Sequence, residues 1–170
     1  MSETRARIRR EIEREPGIHF RALTRGLELA TGQVQYHLGR LEDVRVERVN
    51  GRTHYYPPGY DAWERTSLAL LRRETARDIV ATLYDAGEPR PDAVADRVGI
   101  ARSTLEHHLD GLVASDVVRK QRDGNRVTLS LSRPEATVAL LGTVEPSLAE
   151  RLTDRFERLV DGLLESSERD

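Results

Sequence analysis

Cysteine, histidine, paired carboxylates and glycine-rich turns are the usual carriers of chemistry, and in this 170-residue chain their spacing excludes much of it. There is no cysteine, hence no thiol nucleophile, thiolate metal site or disulfide framework. None of the five histidines (19, 37, 54, 107 and 108) is followed by glutamate, so the helical zinc-hydrolase signature is absent. The closest glycines, Gly26 and Gly32, are six apart, wider than a dinucleotide fingerprint, a nucleophile elbow or a P-loop requires. His37 and His108 sit beside apolar stripes and suit packing roles. His107 and His108 point to different sides of one helix and cannot chelate together. His54 is expected opposite Glu47 across a hairpin, as a surface pair. No catalytic residue, metal or cofactor is assigned, and the chain reads as a binding protein rather than an enzyme.

The chemistry that remains is that of base edges and phosphates. In the run Thr31 to Leu41, Val34, Leu38 and Leu41 form an apolar stripe at i, i+4 and i+7. The opposite face then carries Gly32, Gln33, Gln35, Tyr36, Gly39 and Arg40, with no acid among them. Glutamine can bond adenine bidentately, arginine can do so with guanine, and glycine permits close approach. Arg21, Arg25, Arg48 and Arg52 flank this run and suit phosphate contact. The matching face further along holds Ser103, Thr104, Glu106, His107, Asp110 and Gly111, where two carboxylates oppose DNA. Glu106 is expected to reach back to a Ser103 cap. Arg102, Thr104, His107, Arg122 and Arg126 are therefore assigned only a secondary DNA-binding role, beside the basic Arg119 and Lys120.

These two faces are related by an internal repeat. A shift of 71 residues produces ten identities over positions 3–48, from Glu3 with Glu74 to Arg48 with Arg119, where average usage gives about three. Apolar positions match in kind as well: Ile12 with Leu83, Leu23 with Val94, and Val34 with Leu105. Each copy reads as three helices and a hairpin. In the first, a helix around Ile8 and Ile12 stops at Pro16-Gly17, a second spans Phe20 to Leu27, and a third spans Gly32 to Val44. Asn50-Gly51 and Asp123-Gly124 are hairpin signals of the type I′ kind. Thr75 with Asp78, and Ser103 with Glu106, resemble capping boxes.

Three short helices followed by a two-stranded ribbon make a winged helix-turn-helix. The run Thr31 to Leu41 and its wing resemble regulators of the ArsR and MarR kind, and Pro16 to Leu23 is similar to the opening of archaeal regulators with this fold. The resemblance covers about residues 4–56 and 75–131. It implies a mainly α fold with small β-hairpin wings, in two tandem winged helix-turn-helix domains with connecting and C-terminal helices. The expected boundaries are 1–58 for the first domain, 59–74 for a connecting helix started by Asp61 and Glu64, 75–133 for the second domain, and 134–170 for the C-terminal helices. In the last segment Leu152, Phe156, Leu159 and Leu163 follow the 3-4 spacing of a coiled-coil seam, read as dimerisation.

The functional expectation is a sequence-specific regulator of transcription. It would be a cytoplasmic homodimer that binds double-stranded DNA by promoter occupancy, with the first winged helix as main reader and the transcription machinery as a further partner. The rival expectation is a tandem winged-helix interaction or chromosome-organising protein without base reading. Charge favours the first reading: residues 1–60 hold 11 basic and 8 acidic groups, whereas residues 134–170 hold 4 and 9. Only Lys120 among the 27 basic residues is lysine, a bias compatible with a high-GC or a salt-adapted source such as a halophilic archaeon. No apolar run is longer than the four residues of Val138 to Leu141, so neither a signal peptide nor a membrane span is expected.

Overall fold

The computed structural model describes residues 2–167. It is mainly helical with small antiparallel sheets, compatible with a winged helix-turn-helix. Two compact units divide it, Met1–Glu74 and Thr75–Asp170.

In the first unit the order is α1 (Glu3–Arg14), β1 (Ile18–His19), α2 (Phe20–Leu27), α3 (Thr31–Leu38), β2 (Arg45–Val49), β3 (Arg52–Tyr56) and α4 (Ala62–Leu71). The Ser2 side chain caps α1 by accepting from the Arg5 amide. Ile8 and Ile12, one turn apart, are driven fully inward by burial, which stabilises by about 1.5–3 kcal/mol for each such side chain. They meet Leu23, Leu27, Val34 and Leu41, with Tyr55 packed against the cluster. Helix α3 ends at Leu38 rather than continuing to Val44 as the apolar spacing suggests. Its last turn tightens instead, as Arg40 N donates to His37 O and Leu41 N to Leu38 O, and Leu41 enters the core from this turn.

The three strands are ordered β1-β3-β2, all antiparallel. Asn50 (φ 51°) and Gly51 (φ 75°) make the expected tight turn with two positive φ angles. Alternation then sorts the side chains. Tyr55 faces the three-helix core, whereas His54 and Tyr56 face α4. Tyr56 is fully buried, and its hydroxyl donates to the Arg65 carbonyl. Asp61 and Glu64 start α4 with a complete capping box.

The second unit contains α5 (Glu74–Ala86), α6 (Pro91–Val98), α7 (Arg102–Ala114), β4 (Val118–Asp123), β5 (Arg126–Leu131), α8 (Pro134–Val144) and α9 (Pro146–Ser167). Ile79, Leu83, Val94, Leu105 and Leu112 are its core, as Ile8, Ile12, Leu23, Val34 and Leu41 are in the first. Two local expectations are corrected here. Asp123 pairs with Arg126, so Gly124 and Asn125 form the turn, and of the two only Gly124 has positive φ, as a type II′ turn requires. Helix α7 starts at Arg102 with Ala101 as N-cap and no side-chain cap, so Ser103 lies inside the first turn and Glu106 is free to pair elsewhere. Helices α8 and α9 pack closely enough that a Cβ on Gly142 would stand 3.6 Å from that of Ala149. Among the described residues, no helix is long and apolar enough to cross a membrane.

Candidate nucleic-acid interface

Helices α2 and α3 are joined by Glu28, Leu29 and Ala30, with Glu28 in the left-handed conformation (φ 54°) that reverses the chain. Leu29 packs against the core, which fixes the angle at which α3 leaves. Of α3, Val34 is buried and Leu38 half-buried, so Gln33, Gln35 and Tyr36 are turned outward and exposed. Tyr36 retains 54% of its surface, a large apolar ring in solvent. Arg40 follows the helix and lies over that ring, 3.6 Å from its centre, while its Nη1 donates to the Tyr36 carbonyl at 3.1 Å. The guanidinium is thus held beside the outward face by a cation–π contact and one hydrogen bond.

Arg21 and Arg25 are exposed on α2, and Arg48 and Arg52 on the hairpin. Among the described residues none of the four, nor Arg40, pairs with a carboxylate; Asp43, Glu11, Glu47 and Glu15 are engaged with Arg9, Arg14, Arg65 and Arg72 instead. The two hairpin arginines part company, however. Arg48 is opposite Thr53 and Arg52 opposite Val49, adjacent positions of the ladder whose side chains leave opposite faces. Arg48 shares the face of Tyr55, on the side of the α3 core, and Arg52 shares the face of His54, on the side of α4.

His54 is opposite Glu47 as expected, but it is not a surface pair. It is only 4% exposed and its Nδ1 lies 2.7 Å from Gly17 O, while Glu47 accepts from Arg65 Nε at 2.9 Å. The reason is positional: His54 alternates in phase with the fully buried Tyr56. Burial pushes the His54 imidazole below its usual value, with Arg52, Arg72 and Arg73 adding to the effect against the opposing Gly17 bond.

In the second unit Arg102, Thr104, His107, Arg122 and Arg126 are all exposed, but the first is already neutralised. Arg102 bonds Asp92 and also Glu106, and Glu106 accepts from Lys120 Nζ at 3.1 Å. Partial burial raises the Glu106 carboxyl, yet the bonds from Lys120 and Arg102 prevail and hold it below the usual range. Two cations and two acids thus cancel on the α7 surface.

Of the seam residues, Leu152 is buried within its own unit at 5% exposure, and Arg155 is tied to Asp85 at 3.0 Å, so the start of α9 packs on its own chain. Leu159 and Leu163 are 59% and 69% exposed; the Phe156 side chain lies outside the described residues. Val160 and Leu164 are exposed beside them, which widens the apolar stripe beyond a two-residue seam.

Residues 2–68 match a family model described as an N-terminal HTH domain. That match takes in α1 to the middle of α4, and so every residue of the α2, α3 and hairpin surface. An uncharacterized HTH-type transcriptional regulator of Methanocaldococcus jannaschii is 25% identical over 130 residues, which is 75% of this chain and 33% of that protein. The chain therefore spans a third of the length of this relative. A solved structure from Corynebacterium diphtheriae aligns over 75% of this chain and 26% of its own, with 15% identity and a TM-score of 0.32.

Proposed function

We propose that the chain is a DNA-binding transcription regulator whose first unit reads sequence through α3. Gln33 and Gln35 supply amide groups for base edges in the major groove, and Arg40 reaches the same groove from its seat on Tyr36. Arg21, Arg25 and Arg48 take phosphates on either side. The observation that carries this reading is the distribution of charge pairing. Residues 31–41 hold no carboxylate and the arginines around them are unneutralised, whereas on the second unit Arg102 and Lys120 are bound by acids of their own surface. The second unit, with the same order of three helices and a hairpin, is then a tandem winged helix of secondary DNA contact through Arg122 and Arg126. The HTH match and the regulator of M. jannaschii support the class of function.

The exposed face of α9 favours a homodimer. Leu159, Val160, Leu163 and Leu164 would cover one another across a two-fold axis, which presents two α3 helices to half-sites about 10 bp apart or a multiple of that. Such a dimer acts by occupying a pseudo-palindromic promoter element. Selection of bound sequences from a random duplex pool tests the proposal. Enrichment of one motif by the parent chain, lost in a Gln33→Ala/Gln35→Ala variant, is the expected result. An absence of any enriched motif, or an identical motif from the variant, overturns it and favours the interaction or chromosome-organising reading.

A further inference from the structure

On the α4 side of the first unit's sheet, away from the three-helix core against which α3 packs, His19, Asn50, Arg52, His54, Arg72 and Arg73 line a cavity of about 60 Å³ together with two apolar side chains. One water needs about 10–15 Å³ of such space, so a five-atom oxyanion fits. The composition of the wall is unusual. Three arginines, two histidines and an asparagine line the cavity, and no carboxylate does. Positive charge without a facing carboxylate attracts an anion. Arg72 is committed to Glu15 at 2.6 Å and to the Pro16 carbonyl. Arg52 and Arg73 pair with no carboxylate among the described residues.

The histidine tautomers follow from their bonds. A carbonyl only accepts, so His54 donates from Nδ1 to Gly17 O and its Nε2 is bare when the ring is neutral. His19 accepts the Ala22 amide at Nδ1, 3.3 Å away, so its proton is on Nε2. One ring is thus already a donor and the other becomes one on protonation. The two rings meet edge to face with centres 6.1 Å apart.

We infer that this cavity binds a small free oxyanion of the phosphate class, gripped by Arg52 and Arg73 and closed by His19, His54 and Asn50. Guanidinium forks match phosphate oxygens in pairs. Asn50 and Arg52 belong to the hairpin turn and its strand, and Arg73 follows α4, so an anion here ties the tip of the wing to the end of that helix. A DNA phosphate is the less favoured source, because Val49, Arg52 and His54 of the lining lie on the sheet face opposite Arg48 and the α3 core. Burial and then Arg52 hold His19 below its usual value, with His54, Arg25 and Arg21 adding to this; His54 is held down by burial, Arg52, Arg72 and Arg73 against the Gly17 bond. A bound anion reverses that field, so binding takes up protons and tightens toward acidic pH.

The test is a titration of the full chain with inorganic phosphate at fixed ionic strength, following the ring signals of His19 and His54 by NMR, with exposed His107 as control. Saturable shifts at His19 and His54 only, weakened at least tenfold in Arg52→Ala/Arg73→Ala, are expected. Where the double variant loses its fold by circular dichroism, Arg73→Gln alone is read in the same way. Shifts shared equally by His107, no saturation, or unchanged affinity in a folded variant overturn the proposal. A random DNA duplex is then added to the phosphate-loaded chain. Retention of phosphate supports a site for a free anion, and its displacement from His19 and His54 assigns the cavity to the DNA backbone and overturns that reading.

Discussion

Replacing Glu106 by glutamine should strengthen binding to DNA of any sequence by a calculable step. Glu106 accepts from Arg102 Nε and from Lys120 Nζ, both at 3.1 Å, while Arg102 has Asp92 as a second partner. Glu106→Gln therefore releases one cation outright, Lys120, and leaves Arg102 held. Each phosphate newly neutralised adds about 0.9 to the slope of log affinity against log salt, which at 0.1 M salt is roughly eightfold in affinity. The slope should steepen by about 0.9 in Glu106→Gln, change little in Asp92→Asn, and steepen by about 1.8 in the double variant. The pairs are partly exposed, so the stability cost stays within about 1 kcal/mol. Fluorescence anisotropy of a random-sequence duplex between 50 and 200 mM salt, roughly the range over which such slopes are read, measures all three. An unchanged slope in Glu106→Gln, or the whole effect from Asp92→Asn alone, would refute the reasoning that these acids mask the second unit.

Three further outcomes follow from the structure. Gly51→Ala, at φ 75°, should lower stability by about 1 kcal/mol through the left-handed turn, seen as an earlier urea midpoint with an unchanged slope. His54 is buried with its value depressed, so the unfolded chain binds the proton more readily and stability falls as pH drops below about 6.5, by at most about 1.4 kcal/mol per pH unit. That acid sensitivity should diminish in His54→Gln when unfolding curves are compared across pH. Leu159→Ser with Leu163→Ser should convert a dimer to monomers in sedimentation while leaving helix content intact, and a dimer that survives both changes would place the assembly surface elsewhere.

The two cores were legible because burial writes itself into sequence at helical period: Ile8 with Ile12, and Val34 with Leu41, point inward whatever the loops do. The Asn50-Gly51 turn was legible for a comparable reason, since few dipeptides accept two positive φ angles. The outward set on α3 follows directly once Val34 is known to face in. The end of α3 was not legible, because Leu41 continues the apolar period although the chain has already tightened into a turn. The burial of His54 is not legible without β1. A two-residue strand has no periodicity of its own, and only its pairing with β3, together with α4 on the outer face, buries the ring. The phase shared with Tyr56 was the available signal. The oxyanion cavity was hidden for the same reason, as its residues come from three separate stretches of chain. Neither could spacing along α9 reveal that Leu152 is used within its own unit, since a seam and an intrachain contact have the same period.

The most direct measurement of the central claim is the ratio of affinities for a selected and a random duplex, taken for the parent chain, Gln35→Ala and Arg48→Ala at one salt concentration. With α3 as reader, Gln35→Ala loses about 1–3 kcal/mol on the selected duplex, roughly 5- to 150-fold, and almost nothing on the random one. Arg48→Ala weakens both alike and lowers the salt slope by about 0.9. If Gln35→Ala instead leaves the ratio of the parent unchanged, the first unit does not read sequence through this helix.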